Sequence, residues 1–179
     1  MRIIGGTHKR RQIHVPANLP VRPTTDLAKE ALFNILVNHF DLEAITVLDL
    51  FAGTGNITYE FASRGAQGVT SIDLEFRCVN FIRKTAAELG FEAVLSFRSD
   101  AFRFLRNNET RYDLIFCDPP YDLQGVEEIP RIVAERNLLK PGGWLVLEHS
   151  KNYNFEGYEL FSEQRKYGQV NFSIFAVPE

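Results

Sequence analysis

Cysteine is scarce in this chain, and long apolar runs are absent. The two cysteines among the 179 residues, Cys78 and Cys117, do not have the spacing of metal ligands. A disulfide-rich scaffold and a cysteine-based zinc module are therefore excluded, and we expect no metal. No stretch of about 18 apolar residues occurs, so we expect no membrane span. The N-terminus carries no apolar signal segment, and we expect a cytoplasmic protein.

Acidic residues are missing from the first 25 positions. This segment is basic, whereas the whole chain has a net charge of −3, so the remainder is acidic. A local basic segment on an acidic protein suggests a face directed at a polyanion, although a solvated basic tail fits the composition equally well. The basic residues of the segment are Arg2, Lys9, Arg10, Arg11 and Arg22.

The order of the predicted elements indicates an α/β fold. Residues 1–15 predict a small N-terminal β-hairpin, and a proline-containing linker and a helix beginning near Thr25 follow. Five apolar strands then alternate with helices, which is typical of a mostly parallel sheet covered on both faces. Residues 158–167 and 169–177 instead predict a C-terminal antiparallel hairpin at one sheet edge.

The length suits a single domain that extends over residues 1–179. Within it we expect a basic hairpin and linker at 1–20 and an α/β catalytic core at 21–179. Ligands of open α/β sheets bind beyond the carboxyl ends of the strands. At those ends the sequence places residues 49–55, Asp73, Asp100, residues 118–121 and residues 148–149.

The loop after the first strand predicts a nucleotide-type ligand. Gly53 and Gly55 permit a tight turn and a close approach of the backbone to a ligand at the start of a helix. A dinucleotide loop needs a third glycine, but the residue at that position is Thr58. Asp49 would oppose a pyrophosphate, whereas an acid there suits a ligand that carries an ammonium group and a sulfonium. These features disfavour a nicotinamide oxidoreductase.

Two further acids favour an adenosine-bearing ligand. Asp73 can accept both ribose hydroxyls, and Asp100 can accept from the adenine amine with Ala101 and Phe102 beside the ring. Each acid alone could be a helix cap. Acids at three successive strand ends together favour the ligand.

The sequence Asp118-Pro119-Pro120-Tyr121 directly follows an apolar strand. A simple proline turn would require neither an acid before the prolines nor an aromatic residue after them. Because the lone pair of an exocyclic base amine is delocalised into the ring, such an amine is a poor nucleophile. The Asp118 carboxylate and the Pro119 carbonyl, aimed by the restricted backbone, can accept both amine protons and direct the lone pair at a methyl group. Tyr121 can stack on the base.

These motifs resemble the class I, Rossmann-like methyltransferases, and within them the amino-methyltransferases. Residues 22–26 and 29–36 look like the N-terminal motif of the RsmD family, and Gly5-Gly6 lies where that family has it. Residues 49–55, 63–66, 118–121 and 166–168 also match, so the resemblance covers nearly the whole chain.

The RsmD family methylates the guanine N2 amine in 16S rRNA. The resemblance therefore implies S-adenosyl-L-methionine as cofactor and the small ribosomal subunit as partner, with the basic hairpin as an RNA-binding arm. It places Thr25 near the amino-acid end of the cofactor. The full predicted cofactor site is Thr25, Asp49, Phe51, Ala52, Gly53, Thr54, Gly55, Asp73, Leu74, Asp100, Ala101 and Phe102.

Two departures from the family pattern stand out. Asp73 replaces the usual Glu, which preserves the ribose contact, and residues 56–60 are more polar than usual, which leaves the packing of that helix open. The choice of guanine comes only from the resemblance. An adenine-N6 methyltransferase on DNA or RNA and a non-catalytic RNA-binding protein remain alternatives, and we expect a monomer.

Overall fold

A seven-stranded sheet organises the part of the chain that the structure describes. The computed structural model describes residues 1–21 and 24–179. The strands lie in the order β3-β2-β1-β4-β5-β7-β6. Their bounds are β1 Thr46–Leu50, β2 Gly68–Asp73, β3 Val94–Arg98, β4 Tyr112–Cys117, β5 Leu139–His149, β6 Phe161–Tyr167 and β7 Val170–Ala176.

Within the described ranges, five α-helices connect or precede the strands. They are α1 Asp26–Leu36, α2 Asn56–Ser63, α3 Phe76–Glu88, α4 Ala101–Asn107 and α5 Glu128–Glu135. Strands β1 to β5 pair in parallel, whereas β7 is antiparallel to both β5 and β6. The predicted α/β class, the parallel sheet and the C-terminal antiparallel hairpin are confirmed. The strand order reverses between β1 and β4, which is where such sheets bind ligands.

Alternating side chains of the central strands build a core on each face of the sheet. Leu48 and Ile115 belong to a cluster with residues of α4 and α5, whereas Val47 and Leu114 belong to one with residues of α1 and α2. Because successive residues of a strand point to opposite faces, strands covered on both sides need nearly continuous apolar sequence.

Strand β5 is longer than its apolar run of residues 144–148, from which the sequence predicts the fifth strand, because it begins at Leu139. Pro141-Gly142-Gly143 suggests a turn, yet the backbone continues along β4 with a shift in register beside Tyr112. A Cβ atom on Gly143 would lie 3.0 Å from the Asp113 carbonyl oxygen. Glycine there allows the two strands to approach each other, and the sequence alone does not reveal this.

The N-terminal hairpin is present, but it contains only one bridge, between Arg2 and Gln12. The Ile3 amide donates to the Arg11 carbonyl at 3.0 Å, which holds the two arms antiparallel. Ile3 and Ile13 are buried in a cluster that includes residues of α2 and α3, and this anchors the segment to the domain. Among the described residues, no helix combines the length and apolar character needed to cross a bilayer.

Candidate active site

The glycine loop after β1 has an unusual backbone. Phe51, Gly53 and Gly55 all have positive φ angles, of 58°, 57° and 88°. A Cβ atom on Gly55 would lie 2.6 Å from Cζ of the buried Tyr59. The position therefore needs glycine for its conformation and for its packing, and the loop brings its backbone to the start of α2.

Asp49 lies almost completely buried beneath this loop, with 2% of its surface exposed. The Thr58 hydroxyl donates to Asp49 Oδ2 at 2.6 Å. Burial raises the pKa of Asp49 to about 7, the Thr58 hydrogen bond opposes this rise, and the neighbouring charges of Asp118 and Asp73 add to it. Thr58, which replaces the third glycine of a dinucleotide loop, therefore orients an acid that a cationic ligand would favour in its ionised form.

Asp73 joins the glycine loop to the end of β2. Its Oδ2 accepts from the Gly53 amide at 2.8 Å, and its Oδ1 accepts from the Glu75 amide at 2.9 Å. Each carboxylate oxygen has further acceptor capacity, and the side chain is half-buried, so it can also receive ribose hydroxyls. The sequence predicts the ribose role, but it does not reveal that Asp73 also holds the loop.

Asp100 acts as the N-cap of α4, since its Oδ1 accepts from the Arg103 amide at 2.9 Å. This is the alternative role considered from the sequence, and the exposed carboxylate retains acceptor capacity. Ala101 is buried and Phe102 is partly buried against the same core cluster. Their contact with adenine, like that of the exposed Leu74, stays a prediction.

The start of α1 lies close to the glycine loop. Thr25 caps the helix by accepting from the Ala28 amide at 3.2 Å. The Asn56 side chain, at the first position of α2, donates to the Thr24 carbonyl at 3.0 Å. This bond supports the predicted position of Thr25 near the cofactor loop. Arg22 and Pro23 lie outside the described residues.

The polar residues of α2 form a buried network. Lys29 of α1 donates to Asn56 Oδ1 at 2.9 Å and pairs with Glu60 Oε1 at 3.1 Å. Glu60 also pairs with Arg64 and accepts from the Ile4 amide. The polar character of α2 therefore serves to attach α1 and the N-terminal arm, which answers the packing question that the sequence left open.

The predicted catalytic loop, residues 118–121, follows β4 at the strand-order reversal. Asp118 is half-buried, Pro119 is buried, and Pro120 is exposed. Tyr121 is 57% exposed, so part of its ring is accessible for stacking on a base. The Leu123 amide donates to the Pro120 carbonyl at 3.0 Å and closes the turn. The predicted catalytic residues thus share the sheet edge that carries Asp49 and the glycine loop.

The acid beside Asp118 is Glu148, which the sequence places at a strand end without indicating a role for it. Cys117 is paired with Leu147, so the residues that follow them, Asp118 and Glu148, are neighbours across β4 and β5. Their side chains are in hydrogen-bonding contact, and burial raises the pKa of both. In the sequence, the only sign of its importance is a charged residue at the end of a buried strand.

The adjacent His149 is buried and bonds to Ser173 Oγ at 2.7 Å, as a packed histidine does.

The basic hairpin exposes three of its predicted RNA-binding residues in one turn. Lys9, Arg10 and Arg11 are all exposed. Arg2 is instead bound to Asp26, with 2.7 Å between Nη2 and Oδ2, so its guanidinium is partly neutralised. The turn therefore presents three adjacent positive charges to the solvent.

Two segments of the family resemblance meet beneath this turn. The Ser63 hydroxyl donates to the Gly5 carbonyl at 2.6 Å and accepts from the His8 amide at 3.0 Å. A Cβ atom on Gly5 would collide with the Arg64 guanidinium, and one on Gly6 would overlap the Ser63 carbonyl. The glycines thus let the hairpin approach the end of α2 closely.

In the described ranges, 1–21 and 24–179, no group of three or more potential metal ligands is found.

Comparisons with known proteins show the family to which the chain belongs. Residues 1–176 match the family described as Conserved hypothetical protein 95. The chain belongs to this family. Ribosomal RNA small subunit methyltransferase D of Haemophilus influenzae is 31% identical over 182 residues, covering 98% of this chain and 93% of that protein. The resemblance to the RsmD family is thereby confirmed.

Solved structures show the same architecture. The structure of yhhF from Escherichia coli superimposes with a TM-score of 0.85 at 27% identity and covers 99% of this chain and 98% of its own. An RNA methyltransferase from Salinibacter ruber, solved with S-adenosyl-L-homocysteine, shares the fold with a TM-score of 0.67 at 17% identity, covering 88% and 95% of the two chains. The Rossmann-like methyltransferase fold predicted from the sequence is confirmed.

Proposed function

We propose that this chain transfers the methyl group of S-adenosyl-L-methionine to the exocyclic N2 amine of a guanine in small-subunit rRNA. The observation that carries the proposal is the position of residues 118–121 at the end of β4, beside the buried Asp49 and the glycine loop at the end of β1. This arrangement supports the proposal, because groups that could accept from a base amine lie next to groups that could accept from a cationic adenosine ligand.

The catalytic loop supplies orientation and a proton acceptor. The Asp118 carboxylate and the Pro119 carbonyl accept from the two amine hydrogens and direct the nitrogen lone pair at the methyl carbon. The new nitrogen–carbon bond forms as the carbon–sulfur bond breaks, and Asp118 receives the proton that the nitrogen loses. Tyr121 stacks on the base, which must leave its helix or loop to be reached.

The residues at the strand ends fit the methyl donor, which supplies an activated methyl group on a sulfonium. Asp49 and Thr25 would lie toward its charged amino-acid end, and Asp73 would accept from its ribose hydroxyls. Asp100 would accept from its adenine amine, and Leu74, Ala101 and Phe102 would lie beside the adenine ring. The loop residues that line its path are Phe51, Ala52, Gly53, Thr54 and Gly55.

The substrate assignment has two parts of different origin. Methylation of rRNA is supported by the name of the Haemophilus influenzae relative, which also points to the small subunit. The guanine N2 atom comes from the family resemblance, because the loop chemistry would serve an adenine amine equally well. The exposed Lys9, Arg10 and Arg11 would contact phosphates, and the protein would act in the cytoplasm as a monomer.

Nucleoside mass spectrometry of 16S rRNA from a deletion strain tests the proposal. Small subunits from that strain are treated with the protein and S-adenosyl-L-methionine, and N2-methylguanosine is expected to appear only after treatment. Equal amounts before treatment would overturn the assignment, and N6-methyladenosine in its place would redirect it to adenine. The matched control is Asp118→Ala, which should lose about 10²-fold or more in rate. Calorimetry should show that this variant still binds the cofactor.

A further inference from the structure

Glu148 has an environment that an ionised carboxylate does not tolerate. Only 6% of its surface is exposed, and its Oε2 atom receives no hydrogen bond from any described residue. None of the ion pairs in the described part of the chain includes Glu148 or Asp118. A buried charge without donors or a counter-ion is costly, so Glu148 lowers its free energy by holding a proton.

The groups around Glu148 reinforce this protonation. Asp118, directly after β4, touches it and raises its pKa further, beyond the effect of burial. From β7, the residue opposite Glu148 is the neutral Phe172, and Asn171 is opposite His149. Burial lowers the pKa of His149, which keeps this neighbouring imidazole neutral. No cation from these strands offsets the negative charge of the pair.

The two acids are not equivalent, and this decides which one holds the proton. Asp118 is half-buried, whereas Glu148 is buried. The more accessible carboxyl ionises first, because water stabilises its charge. Two carboxyls in contact share one proton more readily than they lose both. Glu148 therefore donates a hydrogen bond to an ionised Asp118.

We propose that neutral Glu148 is the positioning residue for Asp118, and that loss of its proton at alkaline pH switches off methyl transfer. The inference rests on the proposed function. The hydrogen bond from Glu148 uses one lone pair of the Asp118 carboxylate and fixes the direction of the others toward the base amine. Once Glu148 ionises, the bond becomes a repulsion between two carboxylates, and Asp118 turns away from the amine.

The proton balance is consistent with this role. During transfer the amine loses one hydrogen ion to Asp118 as the methyl group binds to nitrogen. Both acids are then neutral, and Asp118, being half-buried, releases its proton to water. Glu148 keeps its proton throughout, so it takes no part in bond making or breaking.

The test compares Glu148→Gln with Glu148→Ala across a pH series, using small subunits as substrate. The Gln amide is also a neutral donor, so Glu148→Gln should keep activity within about 3-fold of the wild type near neutrality. It should lack the alkaline fall that the wild type shows, because no proton is left to lose. Glu148→Ala should lose about 10-fold or more in kcat, with little change in KM for the cofactor, since it leaves Asp118 unoriented.

Infrared spectroscopy gives a second readout that does not depend on the RNA. The difference spectrum of the wild type minus Glu148→Gln should contain the band of a protonated carboxyl group near neutral pH, because protonated Asp49 contributes equally to both spectra. This difference band should disappear with the same midpoint as the alkaline fall in activity. An unchanged alkaline fall in Glu148→Gln, or no such band in the difference spectrum, would overturn the inference. A wild type that methylates no rRNA would instead overturn the proposed function.

Discussion

Lys29 and Glu60 form a fully buried ion pair, with 3.1 Å between Nζ and Oε1. Glu60 also binds Arg64 and the Ile4 amide, while Lys29 binds Asn56. One pair of side chains therefore connects α1, α2 and the N-terminal arm. Since Asn56 directly follows the glycine loop, the same network fixes the start of α2 at the site.

Removing one partner of this buried pair should destabilise the protein strongly. Glu60→Ala leaves the Lys29 charge buried and should reduce the free energy of unfolding by about 3–5 kcal/mol. The control is Glu128→Ala, which removes the exposed partner of Arg131 and should cost less than about 1 kcal/mol. Thermal and denaturant unfolding measure both. Equal, small losses in the two variants would show that the network contributes little.

At Gly55, the stability cost of packing a side chain can be measured separately from the cost of the left-handed backbone conformation. Gly55→Ala would place a Cβ atom against Tyr59 at a φ of +88°, whereas Gly157 has a φ of +85° with nothing within 4 Å of its Cβ position. Ala at either position should cost about 1–2 kcal/mol for the left-handed backbone. Only Gly55→Ala should add about 1–3 kcal/mol of overpacking and weaken cofactor binding. Similar unfolding free energies for the two variants would contradict this packing role.

A rise in pH should lower the stability of the protein and raise its affinity for the cofactor, because both depend on the ionisation of Asp49. Its pKa in the folded protein is about 7, above the ordinary value, so the folded state holds more protons between about pH 4 and 7. Stability therefore falls as pH rises through that window and stays reduced above it. Asp49→Asn, which still accepts from Thr58, should be more stable than the wild type at pH 8 by about 1–3 kcal/mol. At pH 4 the two should be alike.

The same ionisation should govern affinity for the cofactor. A cationic ligand prefers ionised Asp49, so wild-type affinity for S-adenosyl-L-methionine should rise as pH increases through about 7. Calorimetry on Asp49→Asn should give weaker binding with little pH dependence in that range. If Asp49→Asn bound S-adenosyl-L-methionine with wild-type affinity, Asp49 would not belong to the cofactor site.

The basic turn should set the salt dependence of RNA binding. Each phosphate contact adds about one to the slope of log affinity against log salt, so replacing Lys9, Arg10 and Arg11 by Ala should flatten that slope by up to about 3. Cofactor affinity should not change. A variant with Arg106, Arg131 and Arg136 replaced removes the same charge from exposed positions on α4, on α5 and directly after α5. The same slope in both variants would make the basic turn an ordinary solvated segment.

The local pattern of the sequence predicted most of the architecture. Apolar runs such as residues 112–117 and the helical spacing of residues 26–36 reflect interactions between near neighbours, which periodicity reports directly. Once the strands are parallel, their carboxyl ends share one edge, so the site of Asp49, Asp73 and Asp118 follows from the order of the elements. Asp118-Pro119-Pro120-Tyr121 could be identified because its chemistry lies within four consecutive residues.

Only the tertiary structure decided which distant side chains meet. Glu148 lies 30 positions beyond Asp118, and its contact with Asp118 depends on the register of β4 and β5, which no local pattern encodes. In the sequence, Thr58 drew attention only because a dinucleotide loop would have glycine there. The turn after Asp49 makes its hydroxyl a hydrogen-bond donor to that acid. The buried charges of Lys29 and Glu60 likewise resemble those of a solvated helix in the sequence. Burial and pairing are properties of the packed chain, because they depend on which surfaces exclude water together.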